Sequence, residues 1–349
     1  MNLVLKEKIW GSYAGIAIGD AMGMPFHELT PEEIQDRAGG LVDTFFGIFS
    51  DEFIHIGYSA GQVTDDTTLT KVTADAILKY EGLISPDQFV KELSQWVIEN
   101  QDFWQHGNVF GPTTKTTFYN YLVGKYDSFR ESKRSWVYSG TSNGAIMRVS
   151  PSGWANPGNW QSAVELACQV VLPTHATDVA LSAASGQAAA ISEALSEQAT
   201  LGSMIDRALE GLKAGEESGK KLARVTGQRY PYPNLEIALE LAEKAKDPIE
   251  AGHLIRKSIG SHFHVSETLA TSFGIFYAAK GDFESGVIAA VNNGGDTDTI
   301  ASIVGALSGA LYGISAIPEN WLNEIEAVNH LNCEMMAENF CKMLDKSDG

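Results

Sequence analysis

Apolar residues recur along most of this chain at the three- and four-residue spacing of a helix face. Over residues 6–24, Ile9, Trp10, Tyr13, Ala14, Ile16, Ala17 and Ile18 keep one side apolar, and Pro25 stands where the run should end. The next start signal is Thr30-Pro31-Glu32-Glu33: a hydroxyl cap, a proline at the first helical position and a glutamate completing a capping box. Amphipathic helices are predicted over 67–80 and 86–99, then from 161 to 194 with a break near Pro173-Thr174-His175. The C-terminal half reads as helices over 201–217, 234–245, 247–259, 265–279, 283–292, 298–312 and 320–344. Residues 39–62 are loop-like, and 100–159 is irregular, dense in Gly, Trp, Tyr and Ser.

Strand-period alternation is short wherever it occurs, and no repeated strand–helix alternation, internal repeat or Pro/Ser-rich linker divides the chain. The expectation is an all-α protein with one domain over 1–344 and a short disordered tail over 345–349. The stretch from Ile300 to Pro318 carries no charge and is long enough to span a bilayer. Gly305, Gly309, Gly313 and interspersed Ser and Ala dilute it, and it lacks a basic flank, so it reads as a buried core helix.

Composition narrows the function. At 349 residues and 44% hydrophobic, the chain can bury a large core. Its 25 Lys and Arg against 44 Asp and Glu give a formal charge of -19, which opposes binding to a nucleic-acid backbone. Neither a nucleic-acid nor a membrane partner is expected. A phosphate-bearing small ligand stays compatible, because a cation or a helix N-terminus can reverse the local potential. Cys168, Cys333 and Cys341 form neither a CxxC pair nor a disulfide framework, and the charged N-terminus lacks the apolar core of a signal peptide. Both point to the cytoplasm.

Two matched clusters carry the chemistry. In Asn293-Gly294-Gly295-Asp296-Thr297-Asp298-Thr299, the acids are two residues apart and would diverge by roughly 200° on a regular helix. If the Gly pair turns the backbone sharply and Asp296 is non-helical, both carboxylates can converge. Far upstream, Thr64-Asp65-Asp66-Thr67 repeats the composition before another helix. Two unrelated helix caps are the plain alternative. Together, Asp65, Asp66, Asp296 and Asp298, with the hydroxyls of Thr64 and Thr299, form a hard oxygen set suited to two Mg²⁺, Mn²⁺ or Ca²⁺ ions rather than zinc.

Read in order, the segments Gly15-Ile16-Ala17-Ile18-Gly19-Asp20-Ala21-Met22-Gly23, Thr64-Asp65-Asp66-Thr67, Ser142-Asn143-Gly144-Ala145-Ile146-Met147-Arg148, Thr174-His175 and Gly294-Gly295-Asp296-Thr297-Asp298-Thr299 resemble the ADP-ribosylglycohydrolases. That family includes the dinitrogenase-reductase-activating glycohydrolases, and the resemblance covers nearly the whole chain. It implies an orthogonal all-α bundle with a binuclear Mg²⁺ (or Mn²⁺) centre whose ligands match Thr64, Asp65, Asp66, Asp296, Asp298 and Thr299. The implied reaction is hydrolysis at the anomeric carbon of ADP-ribose, commonly of its bond to an arginine nitrogen, with an adjacent carboxylate such as Asp66 assisting the water.

One position departs from the family pattern. Seven residues after the Asp of the Gly-Asp-Ala motif the family typically has a Glu, and here that residue is His27, with Glu28 next to it. A one-residue adjustment after Pro25 favours Glu28 as base or ligand; without it, His27 takes the role as an imidazole. Ser142, Asn143, Gly144 and Ala145 match a pocket loop. Arg148 reads either as a phosphate partner or as a buried structural ion pair. Gly111-Pro112-Thr113-Thr114 is a second candidate phosphate turn, and His175 is placed near the ligand by the resemblance, with a structural role as the alternative.

His262-Phe263-His264 reads as pocket shaping rather than a zinc pair, ahead of a family-matched Glu267. Phe103, Trp104, Phe110, Phe118, Tyr119 and Tyr121 serve either as core or as a stacking surface. The expected partner is an ADP-ribosylated protein, with a small ADP-ribosyl or ribosyl substrate as the alternative and an inactive ligand-binding relative as a third reading. A monomer or small homo-oligomer is expected.

Overall fold

The computed structural model describes residues 2–49, 57–100, 111–126 and 140–347. Its elements in chain order are α1 Leu3–Gly23, α2 Pro31–Ala38, α3 Asp65–Lys79, α4 Pro86–Glu99, α5 Pro112–Leu122, α6 Ser150–Trp154, α7 Trp160–Val171 and α8 Asp178–Ala194. There follow α9 Leu201–Leu222, α10 Pro231–Lys244, α11 Pro248–Ser258, α12 Val265–Ala278, α13 Phe283–Val291, α14 Thr297–Tyr312, α15 Glu319–Asn329 and α16 Cys333–Ser347. No strand occurs among the described residues, only two isolated bridges, Ser142 with His264 and Thr177 with Arg224. The fold is all-α, as the periodicity predicts.

Local chemistry sets many of these boundaries. The capping box at α2 forms as read: Glu33 N–H donates to Thr30 Oγ1 at 3.2 Å, and Thr30 N–H donates to the Glu33 carboxylate at 2.8 Å. The break near Pro173-Thr174-His175 separates α7 from α8. Most boundaries shift by a few residues, the helix predicted over 201–217 running on to Leu222, and two departures change the number of helices. The 100–159 stretch holds α5 and α6, each begun by a proline in its first turn, and a short 3₁₀ turn over Asn143–Ala145. The last predicted helix is two, because His330 and Asn332 adopt left-handed conformations (φ 52° and 55°) between α15 and α16.

Two helices form the axis. α1 is buried for most of its length, and Gly11, Gly15, Gly19 and Gly23 line one stripe at every fourth position. Against them, antiparallel, lie Gly309, Gly305, Ala301 and the backbone of Asp298 on α14. The approach is so close that a Cβ on Gly15 would stand 2.2 Å from the carbonyl oxygen of Gly305, and one on Gly305 would stand 2.1 Å from that of Gly15. Ser302 Oγ donates to the Ile16 carbonyl at 3.0 Å, and Thr297 Oγ1 donates to that of Gly23 at 2.8 Å. The uncharged 300–318 run is therefore a core helix only as far as Tyr312, buried through Leu311 with its glycines facing backbone rather than lipid, and Ile314–Ala316 form a separate 3₁₀ turn. Among the described residues no helix is long and apolar enough to cross a membrane. One continuous apolar core runs from Ile9 to Cys341. Within it Trp154 packs edge-on to Tyr13 and Phe340 while its indole N–H donates to Ser12 Oγ at 3.0 Å.

A Gly305→Ala change should destabilise the protein by about 1–3 kcal/mol or more, since the obstructing atoms are backbone and cannot yield. Gly202→Ala is the control. Its Cβ meets only Thr200 Oγ1, at 3.8 Å, so stability should be unchanged or rise by up to about 1 kcal/mol. Denaturant unfolding midpoints of the two variants check both expectations.

Candidate metal centre and ligand cavity

The Gly294-Gly295 turn works as the spacing predicts. Both glycines are left-handed (φ 77° and 82°), Asp296 is non-helical (φ −81°, ψ 68°), and α14 begins at Thr297. A Cβ on Gly294 would lie 2.8 Å from the Leu29 carbonyl oxygen, and one on Gly295 would lie 2.4 Å from that of Ser261. The turn is tied on both sides: Gly295 N–H donates to Leu29 O, Glu28 N–H to Gly295 O and Asp296 N–H to Ser261 O. Asp296 and Asp298 consequently converge on one atom. His27 Nδ1 lies 2.9 Å from Asp298 Oδ1 and 3.1 Å from Asp296 Oδ1.

The same tie places the neighbouring residue elsewhere. Glu28 is left-handed (φ 61°), and its carboxylate stands 3.2 Å from His262 Nδ1 at the surface. Of the two candidates for the family's Glu position, His27 is the one against the aspartates.

The second cluster is organised by Asp20, a residue of the Gly15–Gly23 motif to which the sequence alone assigns no role. Asp20 is fully buried near the end of α1 and caps α3 from outside that helix. It accepts from the Thr64 N–H (2.9 Å), Thr64 Oγ1 (2.7 Å), Thr67 N–H (3.1 Å) and Thr67 Oγ1 (2.6 Å). The signal is an acid standing alone in a stretch, Ile9–Met24, that carries no other charge, where an unpaired charge is costly. With α3 fixed this way, its first-turn acids Asp65 and Asp66 face Asp296 and Asp298 across one cavity.

Charge is crowded here. Burial, then the charges of Asp20 and Asp298, push Asp65 up to about 8. Burial and Asp298 push Asp296 up to about 7, and burial followed by Asp298 and Asp20 raises Asp66 well above the usual carboxylate range. Asp20 rises to about 6 through burial, partly offset by its threonine donors. Asp298 alone stays below its ordinary value, because the His27 charge and hydrogen bond outweigh burial. Burial lowers His27, but Asp298 and Asp296 more than reverse that and leave its pKa well raised. Among the described residues no Lys or Arg forms an ion pair with any of these five acids. Asp66 Oδ1 is buried with no hydrogen-bond partner at all. An orphaned carboxylate oxygen beside mutually repelling acids fits bound cations, and His27, Asp296 and Asp298 bring three donor atoms within 4.8 Å of one another.

The cavity measures ≈ 620 Å³. His27, Asp65, Asp66, Asp296, Asp298 and Thr299 line one end; Ser142, Asn143, Gly144, Met147 and His175 line a side; Gly111, Pro112, Thr113, Thr114 and Thr116 line another. Met24 and half-exposed Phe263 complete the wall. The Ser142 loop is bridged to the 263–265 segment, with Asn143 N–H donating to Phe263 O and Val265 N–H to Thr141 O, both at 2.9 Å. Asn143 Nδ2 donates to Thr268 Oγ1 at 3.0 Å and makes a short hydrogen bond to Asp296.

Three expected site residues sit behind this wall. Thr64 is fully buried with its hydroxyl donated to Asp20, and Ala145 is buried in the core. Arg148, also buried, braces the loop: Nε donates to Gly144 O (3.1 Å), Nη1 to Val170 O (3.1 Å) and Nη2 to Thr174 Oγ1 (2.7 Å). Its guanidinium lies over the Phe89 ring at 4.9 Å, and burial lowers its pKa to about 10. His175 is on the wall and neutral: burial, with Arg148 nearby, pushes it down to about 3, while Nε2 meets Ser142 Oγ (2.9 Å) and Nδ1 meets Thr174 Oγ1 (2.8 Å). His262 and His264 do not share a site, since His264 Nε2 meets Gln228 Oε1 at 2.6 Å. Of the aromatic candidates, Phe118, Tyr119 and Tyr121 are not on the cavity wall, and Phe103, Trp104 and Phe110 lie outside the described residues.

An all-helical chain that gathers acids from both ends around such a cavity has close parallels among known proteins. A profile of the family described as ADP-ribosylglycohydrolase matches residues 1–348. The chain belongs to the ADP-ribosylglycohydrolase family and is an enzyme of that glycosidase class. It is 30% identical over 337 residues to the uncharacterized protein YegU of Escherichia coli K12, covering 96% of this chain and 97% of that one. It is 24% identical over 340 residues to the ADP-ribosylarginine hydrolase Tri1 of Pseudomonas putida GB-1, covering 93% of this chain and 76% of that protein. A solved ADP-ribosylglycohydrolase-related protein complex has the same fold, with a TM-score of 0.68 at 23% identity over 97% of this chain and 98% of its own.

Bracing by Arg148 has a measurable signature. Arg148→Met leaves the Gly144 and Val170 carbonyls and Thr174 without their donor, so the ligand-free protein should lose about 1–3 kcal/mol for each acceptor left unpaired. Chemical denaturation without ligand checks this, because losing a phosphate contact alone would not lower the stability of the free protein.

Proposed function

We propose that this chain is a divalent-metal-dependent hydrolase that removes ADP-ribose from an arginine side chain of a modified protein. The observation that carries the reading is the convergence of Asp65, Asp66, Asp296 and Asp298 on one end of a cavity with an orphaned Asp66 oxygen. The name of the relative Tri1 supports arginine as the leaving group.

In this reading Asp65, Asp66, Asp296, Asp298 and Thr299 would hold two divalent cations, Mg²⁺ or Mn²⁺, while Thr64, its hydroxyl donated to Asp20, holds the first turn of α3 in place behind them. Cations bound there would supply positive charge for the oxygens of the sugar and lower the pKa of a water. The protein supplies orientation. Asp66 accepts a proton from the attacking water as the bond from the anomeric carbon to the arginine nitrogen breaks through an oxocarbenium-like state, and that proton ends on the departing guanidine, so that ADP-ribose and free arginine are released. Asn143, held by Thr268 and bonded to Asp296, fixes that carboxylate's direction. Gly111 and Thr113 stand at the N-terminus of α5, where free N–H groups and the helix dipole favour a diphosphate. Ser142 and Gly144 offer a second polar edge, and neutral His175 orients the Ser142 hydroxyl without adding charge. Phe263 on the wall suits a planar ring at the entrance.

The test is hydrolysis of ADP-ribosyl-arginine, ADP-ribosyl-serine and plain nucleosides with Mg²⁺, Mn²⁺ or a chelator. Release of ADP-ribose from the arginine conjugate, lost on chelation, is the expected result; turnover of nucleosides alone would move the substrate to small ribosyl N-glycosides. Asp66→Ala and Asp298→Ala should each lower turnover on the order of a hundredfold or more with helicity kept. Full activity in both variants would end the metal reading.

A further inference from the structure

The donor set at His27 is unlike the rest of the centre. Asp65, Asp66 and Thr299 offer only oxygen, whereas His27 brings an imidazole nitrogen to the same end of the cavity. Its Nδ1 stands 2.9 Å from Asp298 Oδ1 and 3.1 Å from Asp296 Oδ1. Two donors bound side by side to one octahedral dication, each at about 2.1 Å, are themselves about 3 Å apart. Nitrogen and oxygens already hold the separation of ligands that share an ion. A proton between them produces the same distance, so the two occupants are told apart by spectroscopy rather than by length.

Position 27 is built rather than incidental. Residues 28 and 29 are hydrogen-bonded to Gly295, immediately before Asp296, so the imidazole and the carboxylates are carried by one stitched turn. The Phe263 ring lies 5.5 Å from the imidazole and covers it, leaving the side chain 17% exposed. Independently, the orphaned oxygen of Asp66, buried on the same wall, lacks any protein donor.

Resting on the metal-dependent reading above, we propose that this centre is of mixed donor type. His27 Nδ1, Asp296 and Asp298 form a nitrogen-containing subsite that selects a transition-metal dication such as Mn²⁺ over Mg²⁺, beside an all-oxygen subsite built on Asp65 and Asp66. The reason lies in the ions. Mg²⁺ is hard, keeps its waters and gains little from nitrogen, whereas first-row transition dications gain affinity from imidazole. A carboxylate at position 27 would make both subsites all-oxygen and remove that discrimination.

The experiment uses the full chain, stripped of metal and given one equivalent of Mn²⁺ in excess Mg²⁺, with pulsed EPR as readout. The expected spectrum shows hyperfine coupling to a directly bound nitrogen, with the isotope pattern changing when the protein carries ¹⁵N-histidine. In His27→Gln and His27→Glu the coupling should vanish, and the Mg²⁺ needed to displace half the Mn²⁺ should fall on the order of tenfold or more. Bound Mn²⁺ without nitrogen coupling in the wild type overturns the mixed-donor assignment while leaving a metal centre in place. Coupling that survives in both variants does the same and transfers the nitrogen to another imidazole, such as His175. Failure of the wild type to bind either ion overturns this assignment and the metal-dependent reading together. Should a variant fail to fold, the wild-type spectrum decides alone.

Discussion

The backbone contact between α1 and α14 is the constraint on which the site depends. Side chains normally hold packed helices 8–10 Å apart. Here glycines at four-residue intervals remove them, and Gly15 and Gly305 meet carbonyl to Cα. That approach lets Ser302 and Thr297 donate directly into carbonyls of α1. It also brings the last turn of α1, with Asp20, to the first turn of α14, with Asp298. Two segments nearly the whole chain apart thereby become one wall of a cavity. Helices held at ordinary separation would leave the acids too far apart to act on one ligand.

Collecting buried acids is unfavourable in itself, and the structure offsets the cost by hydrogen bonding. Asp20 is satisfied by four donors from α3 and so acts as a cap supplied from a neighbouring helix. Asp298 has His27 and Asp296 has Asn143, while Asp66 keeps an oxygen with no partner. Burial and the neighbouring carboxylates raise the proton affinity of Asp65, Asp66 and Asp296, whereas His27 holds that of Asp298 down. Such a centre is stabilised by whatever cation binds it, which links ligand binding to stability by mass action.

The wall formed by Ser142, Gly144 and His175 is braced from behind and carries no charge. Arg148 spends its donors on carbonyls and Thr174, Thr174 meets His175, and His175 meets Ser142. A cation is thus used to brace a loop, and the group on the cavity wall is a neutral imidazole. This arrangement keeps the cavity's charge concentrated at the acidic end, where the candidate chemistry lies.

Much of this was legible in the chain. Helical periodicity, the Thr30-Pro31 capping box, the break at Pro173 and the Gly294-Gly295 turn are local effects, set by steric and hydrogen-bonding preferences of neighbouring residues. Ordered motifs indicated the family, and the need for convergent oxygens followed from Asp and Thr at both ends. Tertiary structure decided what depends on direction. Whether His27 or Glu28 meets the aspartates rests on a turn tied to Gly295, and adjacent side chains there point apart. Arg148 was ambiguous because a guanidinium is satisfied equally well by carboxylates, phosphates or carbonyls, and only packing chooses. The role of Asp20 was hidden because its partners, Thr64 and Thr67, lie more than forty residues away. Sequence sets what each residue is able to do; the glycine-mediated meeting of α1 and α14 sets which of them do it together.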